Sequence, residues 1–409
     1  MRKLILLFTL SNSAFAEPAS LSSFLTSAWE RSPVRTAEAY LETGKNELIS
    51  AERGKYFPKI TLDALDTTGF PASNGGLGVG GLMGSPFRKG WAYGVIAEET
   101  IYDFGRIKSA MANAKAQKSL ALAESASEKF NFLKTVGHIY LACAKTRVLR
   151  DLNERLTAIA KVIQRETDQF AKTGQRSIVD GSLIKSEVID LELQQLELQK
   201  EEQSLKNQMR LYSSSSECSS LTKETATAFP EQLKVDDPQL LIAKARVEIS
   251  QSQTETAAAA QLPSIKAMGS LGEMEDVRFV EKKDYAAGVG IVFPVWNGGE
   301  DAHRESAYRS EVEYQKNVLQ AAELDFTAQT KEKEDALASG LEVLKGVETN
   351  LEHVRATTTL ATKRYRLLEG PLVDVREAFK QLRALETQRI HVLAAIAENG
   401  FQLGLLKKK

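Results

Sequence analysis

The chain has 409 residues, with 53 lysines and arginines against 54 aspartates and glutamates. This balance gives no electrostatic reason to expect a nucleic-acid partner, and no stretch approaches the run of about 18 apolar residues that a membrane-spanning helix needs. Only 10 prolines, together with long tracts rich in alanine, glutamate, lysine, leucine and glutamine, indicate unusually long helices.

Residues 1–16 have the features of a secretory signal peptide. Arg2 and Lys3 precede an apolar run from Leu4 to Leu10, and Ala14-Phe15-Ala16 forms a small-residue cleavage site before Glu17. The apolar run is too short to span a bilayer, so we expect it to be removed rather than kept as an anchor. The mature protein is therefore expected to lie beyond the inner membrane of a bacterium.

The two halves of the chain repeat each other. Pro58 and Pro263 lie 205 positions apart, and Asp180 lies 194 positions before Asp374 in a similar context. A long-period repeat of this kind predicts a duplicated architectural unit. We expect residues 17–211 and 237–404 each to form a helix, a β-hairpin and a long helical hairpin, joined by an equatorial linker over 212–236 and followed by a basic tail over 405–409.

In each half the segment before the long helix alternates between apolar and small or polar residues. The last such strand alternates Tyr285, Ala287, Val289, Ile291 and Phe293 with smaller side chains, as a transmembrane β-strand does. A soluble, half-buried sheet has the same period, but the aromatic residues at both strand ends and the export signal favour a membrane. Four strands cannot close a barrel, and lipid does not tolerate open sheet edges. Three chains would supply twelve strands, an even number in the known range.

Two helices of about 100 Å each are predicted over 105–172 and 299–369, where prolines are absent and glycines are few. Turns at 173–177 and at Gly370-Pro371 reverse the chain into shorter helices that end near Leu211 and Gly404. Leucines and isoleucines recur at coiled-coil spacing, for example at Leu149, Leu152, Leu156, Ile159 and Ile163. A closed helical bundle would show the same heptads, but helices of this length favour two projecting antiparallel hairpins.

The chain resembles the TolC-like outer membrane efflux proteins over essentially its whole mature length. The resemblance is carried by Phe57-Pro58 and Leu262-Pro263, by the strand-to-helix junctions 101–106 and 293–299, and by the two turns before the repeated Val-Asp pair. It implies a mixed fold in which an all-α coiled-coil tunnel continues a transmembrane β-barrel. In this arrangement a trimer forms a twelve-stranded barrel in outer membrane lipid and a twelve-helix tunnel in the periplasm.

The same resemblance implies an exit channel of a tripartite efflux or type I secretion system, fed by an inner membrane transporter and a periplasmic adaptor, also called a membrane fusion protein. A periplasmic adaptor or a coiled-coil scaffold without a barrel is the alternative function. We expect no enzyme activity and no metal or cofactor site. The four histidines are scattered, and the GxGxxG at 76–81 lacks a βαβ frame.

A periplasmic gate is predicted at the hairpin turns. Asp374 and Glu377 lie three apart at the start of a helix, and in a trimer they would form carboxylate rings that select cations. Complementing the helix dipole is the simpler explanation for such acids. Gly370 stands where the best-known member of the family has a locking arginine, whereas the equivalent place in the first copy carries Arg176, four residues before Asp180. Arg176 and Asp180 are therefore counted with the predicted gate. A clamp swapped between hairpins and the absence of a clamp both remain open.

The turns are also expected to contact the adaptor, through Gly174, Ser177, Gly370 and Leu372. The two cysteines, Cys143 and Cys218, are expected in the oxidising periplasm, where free thiols are a liability. One prediction is a disulfide that ties the linker to the first long helix. The alternative is a buried Cys143 with Cys218 free.

Overall fold

A computed structural model describes residues 20–68, 89–214, 217–219, 221, 234, 236–275 and 281–406. The predicted signal peptide, most of the linker, residues 69–88 of the glycine-rich stretch and the last three residues lie outside these ranges. The described elements are, in chain order, α1 (Leu21–Glu30), α2 (Pro33–Gly54), β1 (Lys59–Thr68), β2 (Lys89–Tyr102), α3 (Arg106–Lys172), α4 (Ile178–Tyr212), α5 (Pro238–Ala260), β3 (Ser264–Glu275), β4 (Glu281–Val292), α6 (Glu300–Arg366) and α7 (Leu372–Leu405).

The order helix, strand, strand, long helix, shorter helix occurs twice. The two long helices, α3 and α6, have 67 residues each, as the proline-free tracts predict. They are followed by α4 with 35 residues and α7 with 34. None of the helices in the described ranges combines the length and the hydropathy of a membrane span.

The chain divides into two compact units. We call the described residues within 36–127 and 237–326 the sheet unit, and the described residues within 1–35, 128–236 and 327–409 the hairpin unit. The sheet unit contains one four-stranded antiparallel sheet in the order β1-β2-β3-β4. Among the described strands, β1 and β4 therefore each have one neighbour. One face of the sheet is apolar and exposed, with Ile60, Leu62, Val289 and Ile291 all more than two-thirds accessible.

A sharp turn connects β2 to α3. The Asp103 carboxylate caps α3, because it accepts hydrogen bonds from the backbone N–H groups of Gly105 (3.0 Å) and Ile107 (2.7 Å). Phe104 has a left-handed backbone, with φ of 54°, where the repeated residue Gly298 has φ of 73°. The Arg106 guanidinium donates to the carbonyl oxygens at the end of α5, at Ala259 (2.9 Å), Ala260 (2.7 Å) and Leu262 (2.6 Å).

The hairpin unit contains the apolar core. Its largest cluster packs α1 against the middle of α3 and the end of α7, with Phe24, Tyr140 and Phe401 almost fully buried. Smaller clusters continue along the hairpins. The prediction that Ile159 lies in the helical seam is wrong. Its side chain is exposed and the neighbouring Ala160 is buried, because a helix with 3.6 residues per turn drifts away from a strict heptad.

Candidate functional site at the hairpin turns

The turn between α3 and α4 is formed by residues that suit its backbone conformation and cap the helix that follows. Gly174 has φ of 72°, a left-handed conformation that glycine adopts without steric penalty. The Ser177 hydroxyl then caps α4 by accepting a hydrogen bond from the N–H of Val179 at 3.2 Å. Asp180 follows in the first turn of α4, where a carboxylate complements the helix dipole.

The turn between α6 and α7 is locally less favourable. Leu368, at the position that repeats Gly174, also has a left-handed backbone, with φ of 65°. Its N–H donates to the carbonyl of Tyr365 at 3.0 Å, and the N–H of Glu369 donates to Arg364 at 2.9 Å. The following helix begins after Pro371, which provides no side-chain cap. This turn therefore carries a strained residue and an uncapped helix start.

Arg176 joins the two turns. Its Nη2 donates to the carbonyl of Gly370 at 2.7 Å and to that of Tyr365 at 3.4 Å. The guanidinium carbon also lies 4.8 Å from the centre of the Tyr365 ring, a cation–π distance. The arginine of the first turn thus binds the carbonyl of Gly370, which is its own counterpart 194 positions later in the second turn. A clamp between the hairpins remains a prediction, and this hydrogen bond is the contact through which it would act.

Tyr365 fixes the end of α6 from inside the hairpin unit. Its side chain is 1% exposed, and its hydroxyl donates to Thr167 Oγ1 on α3 at 3.0 Å. The ring contacts Phe170 edge-on, with 6.0 Å between centroids. Burial raises the pKa of Tyr365 above its ordinary value, and the nearby Asp180 carboxylate raises it further, whereas Thr167 and Arg176 oppose the shift. The tyrosine therefore stays neutral at physiological pH.

The acidic residues lie on the surface of the hairpin unit. Asp374 and Glu377 are both exposed in the first turns of α7, while Asp180 is half-buried. Glu377 accepts a long hydrogen bond from Gln381 at 3.4 Å. The two exposed carboxylates are three residues apart and so project from one face of the helix. Their function as a gate remains a prediction.

Leu372 cannot contact an adaptor, contrary to the prediction, because its side chain is only 2% exposed and packs against Tyr365, Ile163 and Ile184. Gly370 is buried as well, whereas Gly174 and Ser177 are exposed. The exposed apolar side chains at the turns are Ile178, Val179, Leu367, Leu368 and Val373. The repeat relates two of them, because Val179 and Val373 lie 194 positions apart in the repeated Val-Asp pair.

Ion pairs that sequence reasoning missed join the helices farther along the hairpins. Lys161 of α3 pairs with Glu192 of α4 at 2.7 Å, and the residues 194 positions later, Arg355 and Glu386, pair in the second hairpin. Arg383 of α7 reaches α4, where it donates to Gln194 at 2.5 Å and to Glu187 at 3.3 Å. The offset of 194 positions relates the ion pair in the second hairpin to the one in the first. The same offset does not predict the contact between α7 and α4.

Cys143 and Cys218 are joined by a disulfide, with Cα atoms 6.1 Å apart and both side chains fully buried. The structure therefore agrees with the bridged alternative. The flanking residues bind the same helix. Arg147 donates to the carbonyl of Cys218 at 2.6 Å, and the N–H of Ser219 donates to the Tyr140 hydroxyl at 3.0 Å. The linker segment 217–219 is thus attached to α3 by covalent and polar contacts.

Comparison with known proteins gives a result at the level of three-dimensional structure. No protein-family model and no curated protein sequence matches the chain. The outer membrane protein VceC of Vibrio cholerae is similar with a TM-score of 0.79 and 14% identity, over 95% of this chain and 99% of that one. The CmeC outer membrane channel of Campylobacter jejuni gives 0.74 and 13%, over 95% and 86%.

The open state of the MtrE outer membrane channel of Neisseria gonorrhoeae is similar with a TM-score of 0.67 and 15% identity, over 95% of this chain and 90% of that one. These structures share the arrangement of strands and long helices described above, and the similarity extends over nearly the whole of each chain. The resemblance inferred from the repeated junctions is therefore confirmed in three dimensions, and the chain has the fold of the TolC-like outer membrane efflux channels.

Proposed function

We propose that the protein is a trimeric exit channel in the outer membrane, with its helical hairpins in the periplasm. The observation that carries this proposal is the sheet, whose apolar face is exposed and whose outer strands each have one neighbour among the described strands. An apolar face of this kind suits contact with lipid, and lipid requires that every strand edge be paired. Three chains would pair all edges in a barrel of twelve strands.

The hairpin turns are proposed to close the periplasmic end of this channel. Asp374 and Glu377 would form carboxylate rings, and Arg176 would hold the second turn in place through the carbonyl of Gly370. Rings of carboxylates attract cations and repel anions. The conduit itself needs no catalytic step, so we propose transport without enzyme activity.

An inner membrane transporter and a periplasmic adaptor are the proposed partners, in an efflux or type I secretion system. The exposed apolar side chains at the turns, such as Ile178 and Val373, suit contact with an adaptor better than the buried Leu372 does. A lone adaptor or a coiled-coil scaffold is the competing function. The exposed apolar sheet face disfavours both, because neither needs a lipid-facing surface.

Fractionation and cross-linking test the assembly. We expect the protein in the outer membrane fraction, as a trimer that resists heating in detergent, with chemical cross-linking that stops at three chains. A protein recovered only from the soluble periplasm, or a monomer that inserts into lipid, would contradict the proposed channel.

A further inference from the structure

We propose that the bond between Cys143 and Cys218 is formed by a dithiol oxidase of the periplasm, before α1 and the end of α7 pack onto α3. Tyr140 and Arg147 of α3 position the two thiols for this reaction. The partner is an enzyme whose own reactive disulfide accepts two electrons. The inference goes beyond the proposed channel and rests on one part of it, the location of the hairpin unit in the periplasm.

The two sulfur-bearing side chains are inaccessible in the finished fold. Cys143 and Cys218 are both fully buried. They belong to the largest apolar cluster of the hairpin unit, which also contains Phe24 of α1 and Phe401 of α7. A disulfide is transferred by direct attack of one sulfur on another, so the oxidant has to reach a thiol. The bond must therefore form while this cluster is still incomplete.

α1 covers the place where the linker returns to α3. The Phe24 ring packs on the ring of Tyr140, with 5.3 Å between centroids. The Ser27 hydroxyl lies 3.1 Å from the hydroxyl of Ser213, the residue that follows α4. An oxidase that approaches the returning segment therefore meets it before α1 is in place.

The end of α7 completes the cluster from the other end of the chain. The Phe401 ring lies directly against Gly137 of α3, where an added Cβ would be 2.0 Å from a ring carbon. α7 begins at Leu372, 154 positions after Cys218. Because a chain emerges from its amino end, both cysteines are available before α7 has been made. There is thus an interval in which oxidation precedes closure.

Two residues of α3 bind the returning segment on either side of Cys143. One turn before it, the Tyr140 hydroxyl accepts a hydrogen bond from the N–H of Ser219 at 3.0 Å and lies 2.7 Å from the Ser219 hydroxyl. One turn after it, Arg147 donates to the carbonyl of Cys218 at 2.6 Å. Residues spaced by three and four positions share one face of a helix.

These contacts do not depend on the disulfide. They involve the backbone at 218–219 and the Ser219 hydroxyl, and no sulfur atom takes part. The same contacts are therefore available to the reduced chain, in which they bring the Cys218 thiol opposite Cys143. Tyr140 and Arg147 act through this placement and take no part in the electron transfer.

The reaction is a two-electron oxidation with a defined acceptor. The thiolate of one cysteine attacks the oxidase disulfide, which gives a mixed disulfide and releases one oxidase thiolate. The thiolate of the other cysteine attacks the sulfur of the first, which forms the internal bond and releases the second oxidase thiolate. The chain loses two protons and two electrons, and the oxidase disulfide becomes a dithiol. Since the sequence has only 2 cysteines, any internal bond is the native one and needs no isomerisation.

Pulse labelling followed by rapid alkylation tests the partner. The full-length protein is followed in cells with and without the periplasmic dithiol oxidase, and its free thiols are counted from the mass added by the alkylating reagent. Without the enzyme, we expect bond formation to slow at least about tenfold, since its rate depends on the oxidant. Cystine in the medium should restore the rate, because it accepts the same two electrons. An unchanged rate without enzyme and without cystine would overturn the partner.

The same samples test the order of events. Heat-resistant oligomers and monomers are separated, and free thiols should occur only in the monomers at every time after the pulse. An oligomer with two free thiols that become bonded later would overturn the proposed order. Normal oxidation of a chain that never forms an oligomer would contradict the proposed channel and leave this inference intact.

Tyr140→Phe and Arg147→Ala test the positioning contacts. Phenylalanine keeps the ring and removes only the hydroxyl. We expect oxidation to slow about fivefold in Tyr140→Phe and about tenfold in Arg147→Ala, in keeping with the loss of neutral and charged hydrogen bonds. Arg147→Lys should recover most of the rate. Arg155→Ala, at an exposed arginine farther along α3, is the matched control.

Oxidation is timed from the pulse and so is read before assembly. Normal oxidation in both variants, including variants that later fail to assemble, would overturn the positioning role. Equal slowing in Arg155→Ala would overturn it as well, because that arginine would then matter as much as the two that bind the linker.

Discussion

The two hairpin turns differ in what holds them together. The first has glycine in its left-handed position, a serine cap and a nearby basic residue, Arg176. The second has Leu368 in the same left-handed position and no side-chain cap, and it receives its polar contact from Arg176 of the first turn. The first turn thus supplies the second with a side-chain hydrogen bond, in addition to the backbone hydrogen bonds that the second turn forms within itself.

The hairpins above these turns show a related difference. A disulfide and the polar contacts around it close the first hairpin across a sequence separation of 75 residues. The second hairpin has no cysteine in its sequence. Duplicated elements can therefore share one fold although only one copy is cross-linked by a disulfide. The second hairpin, which has no disulfide, is the one whose turn lies next to the exposed Asp374 and Glu377. The absence of a cross-link suits this hairpin to a conformational change at the predicted gate.

The largest expected effect follows from opening the disulfide. Replacing Cys143 and Cys218 together with alanine should lower the free energy of unfolding by about 4 kcal/mol, because closing a long loop removes entropy from the unfolded chain. Denaturant unfolding in detergent measures this loss. Either single replacement should lose about as much as the double one, since each breaks the same bond. Two alkylatable thiols in the native exported protein would show that the bond does not form.

A smaller effect is expected from Arg176→Ala. Losing the charged hydrogen bond to Gly370 should destabilise the second turn by about 1.5 kcal/mol, after allowance for the partial exposure of the arginine. Hydrogen exchange should accelerate about tenfold at residues 366–372 and change little at 173–178. Arg366→Ala is the control, because it removes a partly exposed ion pair with Glu166. Faster exchange confined to the first turn would contradict the support of the second turn by Arg176.

The smallest effect concerns the left-handed residues. Leu368→Gly should stabilise the protein by up to about 1 kcal/mol, because a left-handed backbone is unfavourable for leucine, although glycine adds freedom to the unfolded chain. Gly174→Leu is the mirrored change, and we expect it to destabilise by about 1–2 kcal/mol. Thermal unfolding of the two variants compares them. Destabilisation by both changes to the same extent would mean that the turns do not differ in strain.

Much of the fold could be predicted from the sequence, and the reasons are physical. The absence of proline between Gly105 and Lys172 permits one uninterrupted helix, and a period of two residues marks the strands. Side-chain burial was less predictable. Spacing placed Ile159 among the coiled-coil positions, and the expected adaptor contact placed Leu372 on the surface. The position of the neighbouring helices decides burial instead, so that Ile159 is exposed and Leu372 is buried.

The candidate site shows the same limit. Spacing located the turns and the acidic residues, because both depend on short stretches of chain. The contact between Arg176 and Gly370 depends on how two turns 194 residues apart approach each other, and the sequence left it as one of two possibilities. The disulfide likewise required the linker to return to the level of Cys143, which no local pattern fixes.

Conductance in a planar lipid bilayer tests the central claim, a channel closed by the turns, most directly. The purified protein should show a small, cation-preferring conductance that multivalent cations block, because carboxylates line the closed end. Replacing Asp374 and Glu377 together with alanine should raise the conductance and weaken the block, while Glu348→Ala, far from the turns on α6, serves as the control. No conductance from the purified protein, or a double variant with unchanged conductance and block, would contradict the account.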